Sequence, residues 1–169
     1  PISMPCRRLV VASALFLLAA AGARAQGANA GVELAGMRYA PTAQVAGTTL
    51  QLNGAGIRYK FVVKVYTAGL YLVNKASTPE QVLQQPGPKR IQVAMLRDID
   101  ANELGRLFTR GMEENASKED FSKSIPGTIA MAEIFSSRKK LLAGDVFSVD
   151  WVPGQGASVL VNGKALGPV

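Results

Sequence analysis

From Ile57 to Val65 every odd-numbered residue is apolar or aromatic (Ile57, Tyr59, Phe61, Val63, Val65), and Arg58, Lys60 and Lys64 stand between them. Alternation with a period of two is the mark of a β-strand with one face on a core. After Tyr66 the apolar phase moves to even positions, Ala68, Leu70 and Leu72. A phase change inside one strand predicts a bulge, and Gly69 is suited to make it. Just upstream, residues 48–52 alternate too, and Asn53-Gly54 is the strongest two-residue hairpin signal in the chain. The pattern therefore predicts a turn at Asn53-Gly54 and one long returning strand over 57–72. On such a straight strand Arg58 and Tyr66 would lie about 26 Å apart, at 3.3 Å per residue.

The rest of the chain supplies further strands and a block of helices. Residues 32–39 read as a strand ending in a turn at Pro41-Thr42, residues 79–85 as a short helix, and residues 90–96 as another strand. Asp100-Ala101-Asn102-Glu103 resembles a capping box opening a helix that reaches about Asn115. Its apolar face carries Leu104, Leu107, Phe108 and Met112, and Asn115 falls on the same face. A second helical stretch begins near Ser117 and is predicted to break at Pro126, where a new helix starts and runs to about Leu142. Residues 145–152 and 157–161 are strands joined by Pro153-Gly154-Gln155-Gly156. Strands at both ends with consecutive helices between them predict an α+β fold, one antiparallel sheet with a helical layer on one face. Gly54-Ala55-Gly56 opens no helix, so it is not a phosphate loop.

The N-terminus reads differently. Met4 is followed by Arg7 and Arg8, an apolar run over 9–21, and the small-residue site Ala23-Arg24-Ala25. This is the pattern of a secretory signal over residues 1–25. Its 13-residue run falls short of the roughly 20 needed to span a bilayer. Residues 26–31 form a flexible lead-in, and residues 32–169 are left for one domain. The chain's formal charge is +7, but removing Arg7, Arg8 and Arg24 leaves 16 basic residues against 12 acidic ones. The rest are dispersed, apart from Arg138-Lys139-Lys140 at an expected helix end, where they suit the helix dipole. Nucleic acid is not an expected partner.

Histidine is absent, and the single cysteine, Cys6, sits inside the export segment. These two facts exclude triads, Cys/His dyads, disulfides and thiolate or imidazole metal sites from the exported chain. No metal or cofactor is expected.

The segment LNGAGIRYKFVVKVYTAGLYL, residues 52–72, resembles the chalcone isomerase superfamily, and is most similar to bacterial chalcone-isomerase-like proteins with export signals. Gly-x-Gly-x-Arg followed by Val-Tyr-x-x-Gly-x-Tyr carries the resemblance. Met112-Glu113-Glu114-Asn115 and Val161-Asn162-Gly163-Lys164 agree with it. The resemblance implies an open-faced β-sandwich, a large antiparallel sheet with helices on one side. It also implies a helix beyond the last hairpin, so the domain is expected to be truncated at its C-terminus.

Plant members of the superfamily either close chalcones to flavanones without a cofactor or bind fatty acids in the same cleft. The isomerases use an arginine, a threonine, a tyrosine and an asparagine. By motif the arginine falls on Arg58, the threonine on Tyr66, the tyrosine on Phe108 and the asparagine on Asn115. Phe108 has no hydroxyl to orient water or polarise a ketone, which argues against chalcone cyclisation. Arg58 with Tyr66 instead resembles the fatty-acid-binding branch, in which an arginine and a tyrosine hold the carboxylate.

The resemblance thus implies a periplasmic, non-catalytic protein that binds a fatty acid or similar amphipathic carboxylate. Its ligand-binding residues would be Arg58, Tyr66, Phe108, Met112 and Asn115, and no stable membrane span would remain after signal cleavage. The competing expectations are a cofactor-free intramolecular lyase using Arg58 on an oxyanion, and an envelope interaction module with a vestigial cleft.

Overall fold

The computed structural model describes residues 31–168. The expected secretory signal over residues 1–25 and nearly all of the expected lead-in lie outside the described residues. The elements in chain order are β1 (Val32–Leu34), β2 (Met37–Tyr39), β3 (Thr42–Val45), β4 (Thr48–Lys60), β5 (Val63–Leu72), α1 (Pro79–Gln84), β6 (Lys89–Met95), β7 (Ile99–Asp100), α2 (Ala101–Asn115), α3 (Lys118–Ser136), β8 (Lys140–Leu141), β9 (Val146–Val152), β10 (Gly156–Val161) and β11 (Lys164–Pro168). Seven strands form one antiparallel sheet in the order β11-β10-β9-β6-β5-β4-β3. The α+β expectation holds, with consecutive helices inserted between the strands.

Each face of the sheet has its own core. On one face Val65, Val93, Met95, Phe147, Val159 and Val161 pack with Leu104 of α2 and with Met131 and Phe135 of α3. On the other, Leu50, Leu52 and Tyr71 pack with Tyr39, from the β1–β2 hairpin, and with Val45. The Tyr39 hydroxyl donates to Thr67 Oγ1 at 2.7 Å, which satisfies both buried groups. Arg90 and Asp150, opposite each other on β6 and β9, form a two-pronged ion pair with both contacts at 2.6 Å.

Helix boundaries follow local chemistry. Asp100 caps α2 by accepting from the Glu103 N–H at 3.0 Å, as the capping box predicts. Ser117 caps α3 in the same way. Contrary to the predicted break, α3 runs unbroken through Pro126. A proline forfeits one backbone bond, and burial of Thr128, Met131 and Phe135 beyond it holds the helix together. The helix stops at Ser136 rather than near Leu142, because the chain turns into β8 to pair with β7. Lys140 accordingly lies on a strand, 2.7 Å from Asp98, and does not serve a helix end.

The largest departure from the sequence pattern concerns residues 48–72. Asn53-Gly54 is not a turn: β4 continues through it as a bulge, with Asn53 the extra residue. The Asn53 side chain turns to Ala76, donating to its carbonyl at 3.1 Å and accepting from its N–H at 2.8 Å. The chain reverses at Phe61-Val62 instead, with Lys60 opposite Val63. A second bulge leaves Val65 unpaired, which produces the phase change assigned above to Gly69. Gly69 itself is in regular register. A Cβ there would meet Tyr39 Cδ1 at 2.6 Å, so glycine is needed for the close approach of the ring.

Candidate functional site

Moving the turn from Asn53-Gly54 to Phe61-Val62 changes the relation of the two candidate anion contacts. Arg58 on β4 is directly opposite Tyr66 on β5, not eight residues along the same strand. Directly opposed residues share a sheet face with Cβ atoms about 4.5–5.5 Å apart. A guanidinium and a phenol so placed can meet one carboxylate together, the first with two parallel donors and the second with one.

The face they share is the helix side. Tyr66 is opposite Met95 on β6, a fully buried member of the helix-side core, and packs against that core itself. Arg58 is exposed beside it. Lys60, two residues along β4, donates to Glu103 of α2 at 3.2 Å, tying the end of the hairpin to the first turn of the helix.

Behind the pair lies a floor with few side chains. The next row on the same face is Gly56 opposite Ala68, and the next is Gly54 opposite Leu70, which is opposite Ile91. A Cβ added at Gly54 or Gly56 would meet nothing within 4 Å, so open space lies above both. The result is an open strip of apolar sheet surface, the trough, which runs roughly 13 Å from Gly54 to Arg58 at 3.3 Å per residue with cationic and phenolic groups at one end. These floor residues were not among the sequence candidates. Their signal is two glycines two apart inside a strand, which marks a place where something approaches the backbone closely; reading Gly54 as part of a turn concealed it.

The remaining candidates are on α2. Phe108 is half-buried against the same core as Tyr66. Met112, one turn on, is half-buried, and its sulfur accepts from Thr128 Oγ1 at 3.7 Å. Asn115 is exposed at the helix end, where its Nδ2 donates to the Gly111 carbonyl at 2.8 Å. The structure thus brings Arg58 and Tyr66 together, places Phe108 against the core that Tyr66 joins, and leaves Asn115 bonded within its own helix.

A second groove of about 850 Å³ lies along α2 and α3, lined by Gly105, Arg106, Thr109, Arg110, Glu113 and Ala132. It is widely open, and Arg110 is held by Glu114 at 2.7 Å. Its lining sets Glu113 and Glu114 beside the two arginines and offers no tyrosine, so the Arg58–Tyr66 pair is the better candidate for a carboxylate. Among the described residues no three acidic side chains converge as metal ligands would. No helix of the described residues is long and apolar enough to cross a membrane.

Comparison with known proteins bears on the fold. A sequence profile for a family described as chalcone isomerase-like matches residues 31–169. Among solved structures, that of an Arabidopsis thaliana fatty-acid binding protein is similar, with a TM-score of 0.67 at 15% identity, covering 83% of this chain and 82% of that one. No curated protein sequence matches.

Proposed function

We propose, from the premise that this chain belongs to the chalcone isomerase-like family, that it is a non-catalytic binding protein for a fatty acid or similar amphipathic carboxylate. The observation that carries this reading is the cross-strand pairing of Arg58 with Tyr66 at the end of a glycine-floored apolar trough. The fold it shares with a plant fatty-acid binding protein supports the same reading. Phe108, which offers no hydroxyl where the related isomerases have one, supports binding over cyclisation. Residues 1–25 would export the protein, and the ligand would be met in the periplasm.

In this reading the carboxylate sits between the Arg58 guanidinium and the Tyr66 hydroxyl, and the acyl chain lies along Gly56, Ala68 and Gly54. The open trough covers the chain on one side only. Full burial contributes about 0.8 kcal/mol per methylene, so half-coverage of a twelve-carbon chain contributes about 4–5 kcal/mol. Charge-assisted hydrogen bonds add on the order of 1.5–3 kcal/mol. Before the cost of association these terms sum to about 5.5–8 kcal/mol, which sets the upper limit of affinity near the micromolar range.

Calorimetric titration with dodecanoate and with dodecanol tests the assignment. The acid binds wild type and the alcohol binds at least tenfold more weakly. Arg58→Ala abolishes the preference for the acid while leaving the thermal midpoint within a few degrees. Equal binding of dodecanoate by wild type and Arg58→Ala would show the site to be elsewhere.

A further inference from the structure

Among the described residues three two-residue hairpin turns end in glycine: Ala35-Gly36, Ala46-Gly47 and Asn162-Gly163, each with positive φ at both residues. The fourth is Phe61-Val62. Phe61 takes a φ of 56°, a left-handed conformation in which a bulky residue is strained. Both residues stand almost entirely in solvent, 94% and 90% exposed, and Tyr59 and Val63 flank them at 46% and 42%. Neither the turn geometry nor either core calls for an aromatic and a valine here. Strain and exposed apolar area concentrated at one apex call for an external partner.

The charges around the apex identify its chemistry. Arg58, Lys60 and Lys64 lie within three residues of it on the two strands, and the chain carries no acidic residue between Glu33 and Glu80. Lys60 is paired with Glu103, but neither Arg58 nor Lys64 meets a carboxylate within 4 Å among the described residues. A narrow apolar tip ahead of a collar of net positive charge is the form of an element that enters an anionic bilayer surface. The apolar residues reach the acyl boundary, the tyrosine sits at headgroup level, and the cations face lipid phosphates. A second copy of the chain is disfavoured as partner, because two tips meeting would bring like-charged collars together.

We propose that the Phe61-Val62 apex of the β4–β5 hairpin is a docking element for anionic lipid bilayers. Arg58 and Tyr66 lie directly behind the apex, so docking would bring the open end of the trough to the membrane. That consequence rests on the ligand-binding reading, whereas the docking itself does not.

The test places a fluorescent reporter at the apex of the full chain, Phe61→Trp in a Trp151→Phe background. With phosphatidylcholine–phosphatidylglycerol vesicles the emission shifts to the blue, is quenched by acyl-brominated lipid, and reverts as salt rises. With phosphatidylcholine alone it does not. Unchanged emission on the anionic vesicles would overturn the proposal.

A second variant, Phe61→Gly with Val62→Ser, gives the turn small residues suited to its geometry. It keeps the wild-type thermal midpoint and loses at least tenfold in vesicle flotation. Flotation equal to wild type would also overturn the proposal. Dodecanoate titration in vesicle-free buffer reads the trough separately, so docking without fatty-acid binding, or binding without docking, each removes one reading alone.

Discussion

Two glycines on the β4–β5 hairpin, Gly56 and Gly69, face opposite sides of the sheet, and each makes a different prediction. Gly69 lies under the Tyr39 ring, and a methyl there would sit 2.6–2.8 Å from ring carbons. The ring is fully buried and hydrogen-bonded to Thr67, so it cannot swing away freely. Gly69→Ala is expected to cost about 1–3 kcal/mol through overpacking, visible as a lower urea midpoint. Gly56 has open space above it. Gly56→Val should leave stability unchanged or slightly higher, since a strand interior penalises glycine by roughly 0.5–1 kcal/mol. The same change fills the trough and should weaken dodecanoate binding about tenfold by titration. A Gly56→Val protein that binds as tightly as wild type would remove the trough from the account.

Among the elements, the junction of β7, β8 and β9 is set to respond to acid. The Asp145 carboxylate accepts from the Asn162 side chain at 3.0 Å and from the Leu142 N–H at 2.9 Å, and these bonds hold its pKa below the ordinary carboxylate value. Asp98, bonded to Lys140 and to the Ala143 N–H, is lowered for the same reason. A group whose folded pKa is depressed contributes stability that is complete above its unfolded pKa and disappears as pH falls through the folded one. Thermal midpoints should therefore decline on the acid side of the carboxylate range. Asp145→Asn should flatten that decline while lowering the midpoint at neutral pH. A profile of the same shape in the variant would show that Asp145 plays no part.

Element boundaries show what the sequence made legible. Asp100 is legible as a cap, and Ser117 as a helix start, because such side chains act on N–H groups two or three residues away. The hairpin was misplaced because Asn53-Gly54 has the composition of a tight turn, and its role as a bulge depends on a distant partner, Ala76. Phe61-Val62 has no turn composition at all, so nothing local announced the reversal. Pro126 was misread for the same reason, since burial beyond it outweighs the local penalty.

On the scale of the whole molecule, fold class followed from the order of strand and helix patterns, because layer architecture depends on that order more than on exact boundaries. The site was legible only as residue identities. Arg58 and Tyr66 could be named, but their juxtaposition depends on where the chain reverses, and the trough depends on the Asn53 bulge turning Gly54 and Gly56 to the helix side. Sheet, helices and N-terminal hairpin together explain why the trough is open: helices cover the face over β6, β9 and β10, and the β1–β2 hairpin covers the other. Gly54, Gly56 and Arg58 on β4 stay exposed.

In the proposed function Arg58 holds an amphipathic carboxylate. Native mass spectrometry of the protein purified from its own host, followed by organic extraction, reads this directly. The expected result is a bound acyl carboxylate in wild type and an unloaded Arg58→Ala protein of unchanged fold. A wild-type protein that is empty and takes up no added fatty acid, or an Arg58→Ala protein equally loaded, would contradict it.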